Sequence, residues 1–127
     1  MRVFDVFGLI KSVDEAINVF DCLQGVTTLM PRLNLSNRKD WWANMSCRDL
    51  MLDLICSQEY LQELDISENG QDCFTDTLTI EVLRQLTASD RLCSSLKKIN
   101  LKASVVFKTE QSILELKEFL LRCKERL

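Results

Sequence analysis

Histidine is absent from this chain, proline occurs once and glycine three times in 127 residues. Without histidine there is no Ser-His or Cys-His nucleophile pair, no imidazole general base and no imidazole metal ligand. So little proline and glycine excludes collagen-like and low-complexity linker sequence. No apolar run approaches the roughly 20 residues that span a bilayer as a helix. Residues 1–6 (Met-Arg-Val-Phe-Asp-Val) lack the apolar core of a secretory signal, so an oxidising compartment is not expected and a cytoplasmic or nuclear setting is. No cysteine pair is spaced Cys-x2-Cys, and most of the six cysteines lie in apolar helical runs. Cys22, Cys56, Cys93 and Cys123 read as small buried hydrophobes, and Cys47 and Cys73, nearer loops, as the more reactive thiols. Neither a metal site nor a cofactor is expected, and the fold should survive reductant and chelator with its melting temperature unchanged.

Hydrophobic residues make up 46% of the chain, enough for a buried core in one domain of 127 residues. The net charge of −3 is unevenly spread. Ser57–Leu92 holds eight acids against two bases, giving −6, and Cys93–Leu127 holds eight bases against four acids, giving +4. One end is acidic and the other basic, and an acidic chain does not suit a general nucleic-acid binder.

Four segments share a pattern. Met30-Pro-Arg-Leu33-Asn-Leu35, Leu61-Gln-Glu-Leu64-Asp-Ile66 and Leu96-Lys-Lys-Ile99-Asn-Leu101 read L-x-x-L-x-L, and Met1-Arg-Val-Phe4-Asp-Val6 fits it. The second apolar position recurs at 4, 33, 64 and 99, with spacings of 29, 31 and 35. A helical stretch follows each. Ser12-Val-Asp-Glu15 is a capping box, and behind it Val13, Ala16, Ile17, Phe20 and Leu23 keep helical period. Ser46 opens the second helix, Asp76 or Thr77 the third, and Thr109 or Ser112 the fourth. The fourth buries Ile113, Leu116, Phe119, Leu120, Cys123 and Leu127. Stacked strand–helix units make a parallel sheet on one side and a helix layer on the other.

These residues resemble the leucine-rich repeats of intracellular proteins such as ribonuclease inhibitor. Residues 61–69 match the consensus through Asn69, and residues 93–101 are similar to the cysteine-containing repeats of F-box receptors. Arg38 and Ser104 replace the corresponding Asn of the second and fourth repeats. The resemblance implies an α/β fold, a short leucine-rich-repeat solenoid with about four parallel strands on the concave side and helices on the convex side. It implies one domain over 1–127, with repeats at about 1–29, 30–60, 61–95 and 96–127, read as a fragment of a longer protein because no polar terminal cap is evident.

Strand alternation then assigns the concave face. It carries Val3, Asp5 and Phe7, then Arg32, Asn34 and Ser36, then Glu63, Asp65 and Ser67, then Lys98, Asn100 and Lys102. Arg32, Asn34, Glu63, Asp65, Lys98 and Asn100 are the candidate partner-binding residues. Adjacent Trp41 and Trp42, flanked by charges in a loop, are candidate interface anchors, with Phe74 at the same rim. No catalytic constellation is present, since no nucleophile or metal shell accompanies Asp5 and Asp65.

The expected function is a non-catalytic protein–protein interaction module. The resemblance points to the substrate-recognition part of a ubiquitin ligase receptor, with cullin-ligase adaptors as partners. Leu52-Asp-Leu-Ile-Cys56 approaches an elongin-docking box, but Met51 precedes it and Tyr60 ends it. The alternatives are an inhibitory regulator that meets a basic partner through Glu63, Asp65 and Glu68, and a scaffold segment that stacks through its open ends.

Overall fold

A computed structural model describes residues 7–29, 31–68, 74–102 and 107–123. Residues 7–9 are helical, and the order continues α1 (Val13–Cys22), β1 (Arg32–Asn34), α2 (Lys39–Ala43), α3 (Met45–Ser57), β2 (Glu63–Asp65), α4 (Asp76–Ala88), α5 (Asp90–Ser95), β3 (Lys98–Asn100) and α6 (Glu110–Cys123). The fold is mixed α/β, with a small parallel sheet of order β1-β2-β3. Leu33, Leu64 and Ile99 lie in one row of that sheet, flanked by the rows Arg32–Glu63–Lys98 and Asn34–Asp65–Asn100.

The strands are short, but their backbone ladder runs beyond them. The Glu63 amide donates to the Pro31 carbonyl at 2.9 Å, Asn37 to Ser67 at 2.8 Å and Glu68 to Lys102 at 3.0 Å. β1 and β2 bury their middle residue, β3 half-buries Ile99, and the flanking residues turn outward, as a two-residue period requires. Leu33, Leu35, Leu64 and Ile66 are all buried. The fourth strand expected at the chain start lies almost wholly outside the described residues. Its last position, Phe7, is helical and fully buried rather than on a sheet surface.

Local chemistry accounts for the helix boundaries. The Ser12 hydroxyl accepts the Glu15 amide, and the Glu15 carboxylate accepts the Lys11 amide, one residue before the expected partner. Asn44, not Ser46, caps α3 by accepting the Cys47 amide at 3.0 Å. Thr75 caps α4 and Ser89 caps α5. The helix between β2 and β3 is thus two helices broken at Ser89, whose hydroxyl also donates to the Cys56 carbonyl of the preceding unit at 2.6 Å. Thr109 accepts the Ser112 amide at the start of α6.

Polar side chains join successive units. Gln58, buried, accepts the Leu29 amide and donates to the carbonyls of Val26 and Leu54, all at 2.9 Å or less. A buried amide with every partner in place locks the return from α1 to the strand layer. Ser95 donates to the Leu61 carbonyl at 2.8 Å. Asp76 on α4 accepts the Lys108 amide at 2.8 Å and the Thr109 hydroxyl at 2.7 Å, fixing the start of α6. Chiefly these two bonds hold the Asp76 carboxyl below its ordinary value.

The cysteines partly depart from the sequence reading. Cys47, expected to be reactive, is buried, and burial pushes its thiol up to about 11. Burial likewise raises Cys56 and Cys123 to about 12. Cys22, expected to be buried, is exposed at the end of α1, and Cys56, also expected to be buried, is half-buried. Cys73 lies outside the described residues. Iodoacetamide at pH 8 should therefore label Cys22 in the native state and reach Cys47, Cys56 and Cys123 only on unfolding. Peptide mass spectrometry over time reads this, and early labelling of Cys47 would contradict the fold. These thiols titrate higher in the folded chain than in the unfolded one, so the folded chain holds its protons longer. The stability they contribute is complete below about pH 9 and is lost as pH rises toward 12.

Candidate binding face on the parallel sheet

The exposed side of the sheet is a shallow depression of about 360 Å3, lined by Arg32, Leu33, Asn34, Glu63, Leu64, Asp65, Lys98 and Asn100. All six strand residues expected to meet a partner line it. They come together because three parallel strands in register place equivalent outward positions side by side, one strand spacing of about 4.8 Å apart.

The first outward row alternates in sign. Glu63 sits between Arg32 and Lys98, ion-paired to Arg32 and 3.9 Å from the Lys98 ammonium. Both cations are largely exposed and Glu63 about one third exposed, so each pair contributes only about 0–1 kcal/mol. Their larger effect is on shape and sign: Glu63 is a bridged anion between two cations rather than a bare acidic patch. Glu68, the third acid of that proposed patch, is half-buried beyond the strand end.

The second outward row has a structural task that the sequence reading missed. Asn34 Oδ1 accepts the Ser36 amide at 2.9 Å and the Ser36 hydroxyl at 2.6 Å. Asp65 Oδ1 accepts the Ser67 amide and hydroxyl at the same distances, and Asn100 Oδ1 accepts the Lys102 amide at 3.0 Å. These are Asx turns that end each strand. The repeated Asx-x-Ser at Asn34-Leu35-Ser36 and Asp65-Ile66-Ser67 is the signal that reveals them. Asp65→Asn should be nearly neutral in chemical denaturation, since Oδ1 remains, whereas Asp65→Ala should cost about 0.5–1.5 kcal/mol. Equal effects would mean that the turn bond contributes nothing.

Trp41 and Trp42 are corrected. Both are buried, with 4% and 2% exposure, so neither can anchor a partner. They form α2, and being adjacent on a helix they diverge by about 100°. Trp41 meets Phe20 edge-on at 5.5 Å between ring centres, and Phe20 continues to Phe7 at 5.5 Å. Trp42 turns to Phe74 at 5.0 Å, so Phe74 too belongs to the core and not to a rim. Arg38 lies over the Trp41 ring at 4.4 Å and donates to the Phe7 carbonyl at 2.7 Å. The bulky residues of the longer loop thus close the first unit.

Val3 and Asp5 lie outside the described residues, and Lys102 is exposed beyond β3. The stretch resembling an elongin-docking box is occupied by packing: Leu52, Leu54 and Ile55 are buried in α3, and Tyr60 is 65% exposed. Among the described residues no group of acids and cysteines is arranged to hold a metal ion, and no helix is long and apolar enough to cross a membrane. Comparison with known proteins finds no matching family model, no similar curated protein and no similar solved structure.

Proposed function

We propose that this chain is a non-catalytic protein-interaction module of the leucine-rich-repeat kind, which binds a partner protein through the exposed sheet face. The observation that carries the reading is the outward row Arg32–Glu63–Lys98, a plus–minus–plus pattern displayed by paired strands beside the fixed turn residues Asn34, Asp65 and Asn100. Side chains on a hydrogen-bonded sheet lose little freedom on docking, so a charge pattern held there selects a partner of opposite pattern. In support of the repeat assignment, Leu33, Leu64 and Ile99 fall in one row at the spacing of the L-x-x-L-x-L segments. A binding role suits the two acids better than catalysis: Glu63 is committed to two cations and Asp65 to a turn. In this reading the partner is the recruited substrate of a ubiquitin ligase, the context that the cysteine-containing repeats suggest.

The test inverts the row. Arg32→Glu, Glu63→Lys and Lys98→Glu together keep the internal pairing but reverse every sign. The triple variant should melt at the wild-type temperature, because none of the three is in the core. It should lose proteins that the wild-type chain captures from a lysate by about two orders of magnitude, as expected when a central charged cluster is mismatched. Undiminished capture by the folded variant would refute the sheet-face reading. Cullin adaptors among the captured proteins would support the ligase context.

A further inference from the structure

Acid–base pairs join the later units, Glu59 with Arg91, Arg84 with Glu115 and Asp90 with Arg122, whereas none of the ion pairs among the described residues joins α1 to α3. Helix α6 uses this arrangement on one side. On a helix turning about 100° per residue, Glu115 and Arg122 share the flank that meets α4 and α5, while Ser112, Phe119 and Cys123 point into the core. The opposite flank carries Ile113, Leu114, Leu120 and Leu121, exposed by 54%, 50%, 44% and 55%. Ile113, Leu120 and the core were expected to meet, and this is where that expectation fails. The strand beneath shows the same incompleteness: Ile99 and Leu101 are half-buried, although their counterparts in β1 and β2 are fully buried.

Lys117 stands in the middle of this flank. Ile113 and Leu114 precede it by four and three positions, and Leu120 and Leu121 follow it by three and four, so all four aliphatics adjoin it on the helix surface. Among the described residues Lys117 takes part in no ion pair.

We propose that this flank of α6 is a docking site for an amphipathic helix of a partner protein that carries an aspartate or glutamate among aliphatic residues. Single exposed aliphatics need no explanation, but Ile113, Leu114, Leu120 and Leu121 together on one helix mark an interaction surface. Covering them also covers Lys117, and a lysine taken out of water needs an opposite charge. The occupant thereby repeats the acid–base pairing by which α6 meets α4 and α5 on its other flank. A second copy docked by the same flank would set Lys117 against Lys117 across the two-fold axis. Head-to-tail stacking fails as well, because α1 turns Asp14, Glu15, Asn18 and Asp21 outward and offers no aliphatic stripe.

The site is separate from the sheet face and is tested separately. Two fluorescent amphipathic peptides, identical except for a central Glu or Lys amid leucines, are titrated into the full chain by anisotropy. The Glu peptide should bind about tenfold or more tighter than the Lys peptide, and Lys117→Glu should reverse that preference. Leu120→Asp with Leu121→Asp should abolish binding of both, and far-ultraviolet circular dichroism of each variant should match wild type, since these positions are exposed. Failure of both peptides to bind, equal binding of the two, or no reversal with Lys117→Glu would overturn the proposal. A wild-type dimer in sedimentation that Leu120→Asp dissociates would also overturn it, by giving the flank to a second copy.

Discussion

Trp42→Ala is expected to cost about 3–5 kcal/mol, the range for deleting a large buried aromatic, and to shift the denaturant midpoint strongly. The residue is 2% exposed and packs on Phe74, so the deletion leaves a cavity between α2 and the approach to α4. Its indole nitrogen is buried with no hydrogen-bond partner. Trp42→Phe therefore removes an unsatisfied donor as well as volume, and the two effects oppose one another. The phenylalanine variant should fall well short of the alanine loss. A Trp42→Ala chain as stable as wild type would return Trp42 to the surface and revive the interface-anchor assignment.

Leu64→Ala should remove about 2–5 kcal/mol. Leu64 is the central residue of the central strand, buried to 2% exposure, with Leu33 and Ile99 as its neighbours in register. A cavity there has units on both sides and little room to collapse. Glu63→Ala, one residue away on the outward face, should change stability by less than about 1 kcal/mol, since it removes only exposed ion pairs. Urea titrations of the two variants compare the faces directly. Equal losses would mean that the strand is slipped by one residue, because such a slip exchanges inward and outward side chains.

The register was legible because the L-x-x-L-x-L segments state their alternation residue by residue. The core face of α1 was legible for the same reason: Ala16 and Phe20 are buried, with Val13, Ile17 and Leu23 packed against them. The tryptophans were not legible. A charged neighbourhood marks a surface loop only if the aromatics have nothing to pack against, and their partners Phe20 and Phe74 are some twenty and thirty residues away in sequence. Helix α6 failed differently. Its apolar period is correct, but periodicity counts apolar positions without saying which neighbour each faces. Ser112 is inward and Ile113 outward, the reverse of their polarities. Asn34, Asp65 and Asn100 were placed correctly, but their turn bonds lay hidden in a two-residue offset that a search for exposed polar residues does not weigh.

Many of the polar ties between units join residues about thirty positions apart: Arg38 to Phe7, Gln58 to Leu29, Ser89 to Cys56, Ser95 to Leu61 and Thr109 to Asp76. Each unit is thus buttoned chiefly to the one before it. Damage in such an arrangement stays local and spreads by one neighbour at a time, as in a row of coupled switches. One seam can therefore open while its neighbours stay closed, so amide exchange should quicken in blocks of about one unit rather than across the whole chain.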